Sequence, residues 1–251
     1  TDSYNTAVGD QAGLRVTTGV ENTLIGGLAG DALTDADYNV AIGISALGSD
    51  TLGSRNVAIG GSSLNQQNFT TATDSYNTAV GYNTGYAVTT GLYNTLIGGL
   101  AGDALTDADH NVAIGFNALS SDTLGSASIA IGKGALNGQN FTTATTAYNV
   151  AVGHSAGTSV STGTKNTLIG GLAGDAITSA EGNTTVGYLS LSAETQGKGS
   201  VALGHHALRQ QNITSDSFAF NTAVGYSAGD AITTGTSNTF VGALAGDATD
   251  D

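Results

Sequence analysis

The chain has 251 residues, 38 of them glycine, and contains no proline, cysteine, methionine or tryptophan. Without cysteine it has neither disulfides nor thiolate metal ligands, and 20 acidic against 6 basic side chains give a formal charge of −14, which argues against nucleic acid as a partner. Glycine without a three-residue period, beside abundant Val, Ile and Thr, excludes both collagen and a disordered linker.

The first element is the pentapeptide Asn5-Thr6-Ala7-Val8-Gly9. Its pattern (Asn or Ser, Thr or a β-branched aliphatic, a small or apolar residue, Val/Ile/Leu, Gly) recurs fourteen times, ending at Asn238-Thr239-Phe240-Val241-Gly242. Successive copies are 17, 17, 17 and then 21 residues apart, so a 72-residue unit returns at Asn5, Asn77, Asn149 and Asn221. Residues 22–37 and 94–109 are identical. Such periods mark a solenoid, each coil burying its apolar side only against its neighbours. The expected fold is all-β: a parallel β-solenoid, or β-roll, of about fourteen rungs. No composition shift divides residues 1–251 into more than one domain.

Within a rung the pentapeptide predicts a short strand, because its second and fourth positions alternate with period two. The fourth position is Val, Ile or Leu in every copy, from Val8 and Ile25 to Val241, and is expected to face the core. The residue between is usually Ala, but Leu24, Leu96, Leu168 and Phe240 make the opposite face apolar too. A thin coil has one interior, so the second apolar face calls for other chains, and identical chains around a symmetry axis would cover it. The closing glycine fits a turn at positive φ. Three positions later a small residue, as at Ala12, Ala29 and Ala46, is expected to open a second, more exposed strand. The leading amide is present at Asn5, Asn22, Asn39, Asn56, Asn77, Asn94, Asn111, Asn149, Asn166, Asn183, Asn221 and Asn238, with Ser128 and Ser200 in the other two rungs. Stacked one per coil, these amides are expected to form a structural ladder, each hydrogen bond contributing about 1 kcal/mol net.

Other features fall between the strands. Gly30–Asp37 and its copy Gly102–Asp109 gather Asp31, Asp35 and Asp37, then Asp103, Asp107 and Asp109, oxygen ligands of the kind Ca²⁺ takes. The third copy thins to Asp175, Ser179 and Glu181, and solvated loop acids are the competing reading. A column that includes Thr17, Thr34, Thr51, Thr89, Thr106 and Thr123 suits either an ice-ordering surface or hydroxyls that satisfy an outer turn. The residue before the leading Asn is often a ring, as at Tyr4, Tyr38, Tyr76, Tyr93, His110, Tyr148 and Phe220, which suits stacking on sugars or packing at a corner. The long rungs place Gln66, Gln67, Asn68 and Phe69, then Gln139, Asn140 and Phe141, then Gln210, Gln211 and Asn212 in loops expected to bulge outward, either as the receptor contacts of the segment or as spacing loops without a ligand. The four histidines form no spaced ligand set, no Ser, His and Asp trio recurs, and an active site is built once from dissimilar parts. The chain reads as a non-enzyme with no cofactor, Ca²⁺ being the one candidate ion.

Asn56-Val57-Ala58-Ile59-Gly60-Gly61-Ser62-Ser63 and Ser128-Ile129-Ala130-Ile131-Gly132-Lys133-Gly134-Ala135 resemble the head repeats of trimeric autotransporter adhesins. Residues 77–85, NTAVGYNTG, are similar to repeats of phage tail fibres and bacterial fibre proteins. The resemblance spans all fourteen rungs, although the rungs here are longer than the usual adhesin-head repeat. It implies a left-handed parallel β-roll assembled as a homotrimer, extracellular, on a cell surface or a virion fibre. The expected role is a structural and adhesive shaft or head segment, its partners being its own copies and a host or cell-surface receptor or glycan. The alternative is a ligand-binding β-solenoid for Ca²⁺ or ice. No stretch is long and apolar enough to span a bilayer, so no direct membrane insertion is expected. Starting at Thr1 and stopping at Asp251 within a rung, the chain reads as a piece of a longer fibre.

Overall fold

The computed structural model describes residues 2–248. Among them there is no helix, and the fold is a parallel β-solenoid of about fourteen turns. The chain falls into two compact units, Thr1–Ser126 with Thr142–Ala144, and Ala127–Phe141 with Thr145–Asp251.

In the first unit seven three-residue strands, from Thr6–Val8 to Val112–Ile114, pair in parallel. Thr6 faces Thr23, Thr23 faces Val40, Val40 faces Val57, and the next step, Val57 to Thr78, absorbs the four extra residues without loss of register. In the second unit seven strands, from Ile129–Ile131 to Thr239–Val241, pair in the same way through Ile129 with Val150 and Val150 with Thr167. Glycine sets the strand length. Gly26 has φ +133°, and a Cβ there would lie 2.6 Å from the carbonyl oxygen of Gly43 in the next coil. Any side chain would therefore break the stacking, and the strand ends where only glycine fits.

The facing of the strand is the reverse of the sequence expectation. The middle residue points inward: Leu24, Ala41, Ala58, Ala79 and Leu96 are buried. The fourth-position aliphatics point out, and Ile25, Ile97 and Ile169 remain 37–38% exposed. The inward middle residue is Ala or Leu in every three-residue strand except two, which carry Thr185 and Phe240, and the larger β-branched columns stay outside. The second strand expected near Ala12, Ala29 and Ala46 is likewise absent, and those residues lie in a tight turn. Leu47 adopts φ 52° there, so the turn is held by left-handed residues rather than by a ladder.

Coil-by-coil exchange of volume fills the interior. Where the strand carries Leu24, the turn carries Gly30, and a Cβ at Gly30 would come within 2.8 Å of both Leu24 Cδ2 and Leu33 Cδ1. Where the strand carries Ala41, the same turn position is Leu47, fully buried. Close packing of this kind leaves little room for substitution on either side.

Candidate interaction surfaces

The leading asparagines close each coil and tie it to the next. Asn22 Nδ2 donates to the carbonyl of Ala36 at 2.7 Å, fourteen residues on, while Asn22 Oδ1 accepts the backbone N–H of Asn39 at 2.9 Å. Asn5, Asn77, Asn94, Asn149, Asn166, Asn183 and Asn221 make the same fourteen-residue closure, and Asn39 and Asn111 reach the carbonyls of Gly53 and Gly125. Asn56 instead donates to Asn39 Oδ1 at 3.1 Å, and Asn238 donates its N–H to Asn221 Oδ1 at 2.8 Å. Ten of the twelve are buried, Asn5 and Asn238 being half-buried, so the row offers little to a ligand.

The acidic segments do not converge. Asp35 and Asp107 accept the hydroxyls of Thr18 and Thr90 at 2.6 Å, and Asp37 and Asp109 accept the N–H groups of Val20 and Leu92 at 2.8 and 2.7 Å. Each carboxylate thus binds the preceding coil. Among the described residues no three His, Cys, Asp or Glu side chains gather as a metal site. Asp31 and Asp103 sit apart, half-buried, and burial raises the pKa of Asp103, as it does that of Asp175. The Thr column is engaged as well: Thr17, Thr34, Thr89 and Thr106 donate their hydroxyls to the carbonyls of Thr34, Thr51, Thr106 and Thr123.

The long-rung loops are partly inside the coil instead of bulging outward throughout. Gln67, Gln139 and Gln211 are fully buried, and Phe69 and Phe141 are 6% exposed, so these residues cannot meet a receptor. Gln66, Asn68, Asn140 and Gln210 are exposed and Asn212 is half-buried. The protruding parts are Thr70–Ala72, Thr142–Ala144 and Thr214–Phe218. The buried glutamines point to a group that the sequence reading missed. Asp50, Asp122 and Glu194 are fully buried. Asp50 accepts from Gly53 N at 3.1 Å, Phe69 N at 3.0 Å and Gln67 Nε2 at 2.6 Å, and Gln67 Oε1 in turn accepts from Asn77 Nδ2 at 2.9 Å. The signal was present: the coil position eleven residues after the leading Asn reads Val16, Leu33, Asp50, Gln67, then Val88, Leu105, Asp122, Gln139. A column that begins Val, Leu lines the core, so the polar pair that follows is inside as well.

Large apolar side chains stay exposed on the turn before the leading Asn and on the outward side of the strands. In the first unit the planar side chains before the leading Asn form a continuous stack: Arg55 lies 4.6 Å from the Tyr38 ring centre and 5.8 Å from that of Tyr76, Tyr76 and Tyr93 are 5.6 Å apart, and Tyr93 and His110 5.0 Å. The rings cover one another's faces, which leaves edges rather than faces for a sugar. The other surface is the outward side of the strands. Beside the Val/Ile columns it carries Ile44, Tyr82 and Phe116, which are 51–67% exposed. Bulk alternates here too: Gly27-Leu28 and Gly99-Leu100 are each followed one coil later by Ile44-Ser45 and Phe116-Asn117. In the second unit Tyr188, His205 and Tyr226 continue this kind of column, with ring centres 5.4 and 5.2 Å apart.

No protein-family model, curated protein or solved structure matches this chain. Among the described residues no helix is long and apolar enough to cross a membrane.

Proposed function

We propose that this chain is a structural and adhesive segment, shaft or head, of a homotrimeric extracellular fibre, its strands packing their outward faces against identical chains. The observation that carries this reading is the outward face itself. In the first unit Ile25 and Ile97 lie partly open on the strand face that also carries exposed Ile44, Tyr82 and Phe116, and apolar side chains grouped on one face mark an interaction surface. The exchange of bulk between Gly27-Leu28 and Ile44-Ser45 adds a second argument. Volume is matched from coil to coil where something packs against it, as in the interior, and water sets no such requirement. Around a three-fold axis each chain meets its two copies through heterologous contacts that close into a ring, so one outward face is enough to serve both neighbours.

Rigidity would come from the stacked coils, and adhesion from the exposed loop tips at Thr70–Ala72, Thr142–Ala144 and Thr214–Phe218. The resemblance to adhesin heads and tail fibres points the same way for location and partner. Light scattering and sedimentation of the purified chain are expected to give three times the monomer mass of 24.7 kDa. Ile25→Asp combined with Ile97→Asp should yield monomers with unchanged far-UV circular dichroism, because neither side chain enters the core. A wild-type chain that sediments as a monomer at micromolar concentration removes the reading.

A further inference from the structure

Four Asn-Xaa-Thr triplets occur in the chain: Asn68-Phe69-Thr70, Asn140-Phe141-Thr142, Asn212-Ile213-Thr214 and Asn183-Thr184-Thr185. The triplet is the acceptor for N-linked oligosaccharide, provided it lies on a surface loop with room for a bulky sugar. In a chain this rich in Asn and Thr the triplet alone says little. The fold separates the four.

Asn183 is fully buried, and its Nδ2 donates to the carbonyl of Gly197 at 2.8 Å. Thr184 and Thr185 lie in the strand that follows. A sugar on this nitrogen would have to displace a coil closure. The other three triplets lie outside any strand, at the one place where the coil is widened. Asn68 and Asn140 are exposed and Asn212 is half-buried, while Thr70, Thr142 and Thr214 are all exposed. The middle residues Phe69, Phe141 and Ile213 turn inward and anchor the loop. Asn68 Oδ1 accepts the Thr51 hydroxyl at 3.1 Å and Asn212 Oδ1 that of Thr195 at 2.8 Å, which orients each amide while its nitrogen donates no bond of its own.

A Cβ at Gly30 would meet Leu24 Cδ2 and Leu33 Cδ1 at 2.8 Å each, so the column of Leu33, which Gln67 shares, lines the interior together with the strand residue. Asn68, next in the chain after buried Gln67, is exposed. We propose that Asn68, Asn140 and Asn212 are N-glycosylation acceptors and that Asn183 is not, the donor being a lipid-linked pyrophosphate oligosaccharide. In the transfer the Nδ2–C1 bond forms as the C1–O bond to pyrophosphate breaks. The lipid pyrophosphate leaves with the electron pair, and the amide nitrogen gives up one proton. This inference is independent of the fibre reading.

The test incubates the folded chain, and in parallel the free peptides spanning each triplet, with a single-subunit oligosaccharyltransferase that recognises Asn-Xaa-Thr and with its lipid-linked donor. Intact mass and peptide mapping are read. The folded chain should gain three sugars, at Asn68, Asn140 and Asn212, while Asn183 is modified only in its free peptide. Thr70→Ala should lose the addition at Asn68 alone, with the circular dichroism unchanged. Modified peptides beside an unmodified folded chain, or sugar on Asn183 of the folded chain, would overturn the proposal.

Discussion

The two units satisfy the same buried amide in different ways. In the first, Gln67 Nε2 donates to Asp50 Oδ2 at 2.6 Å and lies 3.5 Å from Ser75 Oγ, which itself donates to Asn56 Oδ1 at 2.8 Å. In the second, Ser200 stands where the first unit has Asn56, and Ala219 where it has Ser75. There Gln211 Nε2 donates straight to Ser200 Oγ at 3.1 Å and to Glu194 Oε2 at 2.7 Å. Gln139 does the same with Ser128 at 3.0 Å, and Ala147 completes that pair. Two positions change together because neither alone determines whether the glutamine nitrogen finds an acceptor, and an orphaned buried donor costs more than a hydrogen bond returns.

The acids differ as well. Glu194, one methylene longer than Asp50, collects the N–H groups of Thr195, Gln196, Gly197 and Ile213 besides Gln211 Nε2. Asp50 collects the N–H groups of Gly53 and Phe69 besides Gln67 Nε2. Hydrogen bonds to a charged acceptor contribute about 1.5–3 kcal/mol each, offset in part because the carboxylate no longer has to be desolvated when it is removed. Asp50→Ala is therefore expected to destabilise by about 3 kcal/mol and Glu194→Ala by more, read from urea midpoints. Hydrogen exchange should localise the loss to the amides of Gly53 and Phe69 in the first case and of Gly197 and Ile213 in the second. If Asp50→Ala proved the costlier of the two, the donor count would not be what holds these loops.

A smaller effect tests the paired exchange directly. Ser75→Ala in the first unit removes the hydroxyl that links Gln67 to Asn56, and is expected to cost about 1–2 kcal/mol. Asn56→Ser alone breaks one step of the amide ladder and should cost a similar amount. Together they recreate the arrangement of the second unit, in which a serine hydroxyl at the coil opening accepts the hydrogen bond of the glutamine Nε2. The double substitution should thus be less destabilising than the sum of the singles by about 1 kcal/mol. Strict additivity in that cycle would mean the two units differ by drift rather than by compensation.

The register of this fold was legible because its cause is arithmetic: residues 17 or 21 apart with the same pattern stack, as Thr6 on Thr23 and Val57 on Thr78. The facing was not. Ala41 and Ile42 are both apolar, and choosing which lies inside needs the turn that follows, where buried Leu47 takes up interior volume beside Ala41. Hydrophobicity alone favours the larger residue, and it chose wrongly. Gln67 was misplaced for a related reason. It follows exposed Gln66 in a polar run and so reads as loop, whereas its column, shared with Val16 and Leu33, puts it inside. Reading down columns rather than along the chain would have found the buried acids as well.

The smallest expected effect contrasts three aspartates at one coil position. Arg209 reaches Asp230 from the preceding coil with bonds of 2.8 and 3.2 Å. Asp103 and Asp175 have no such cation, and one carboxylate oxygen of each is buried without a partner. Burial accordingly raises both of these pKa values above the ordinary carboxylate value of 3.8. An acid whose folded pKa is raised binds its proton more tightly in the folded state, so it favours folding in acid, and that contribution is lost as pH climbs from the unfolded pKa through the folded one. Asp103→Asn and Asp175→Asn should hence stabilise the chain at neutral pH, by roughly a few tenths of a kcal/mol given the partial exposure of both groups. The gain should shrink towards zero as pH falls through the ordinary carboxylate range, followed by thermal melts between about pH 3 and 7. An advantage that grew in acid would have the wrong sign for a desolvated carboxylate and would point instead to a hydrogen bond that the aspartate lacks and the asparagine makes.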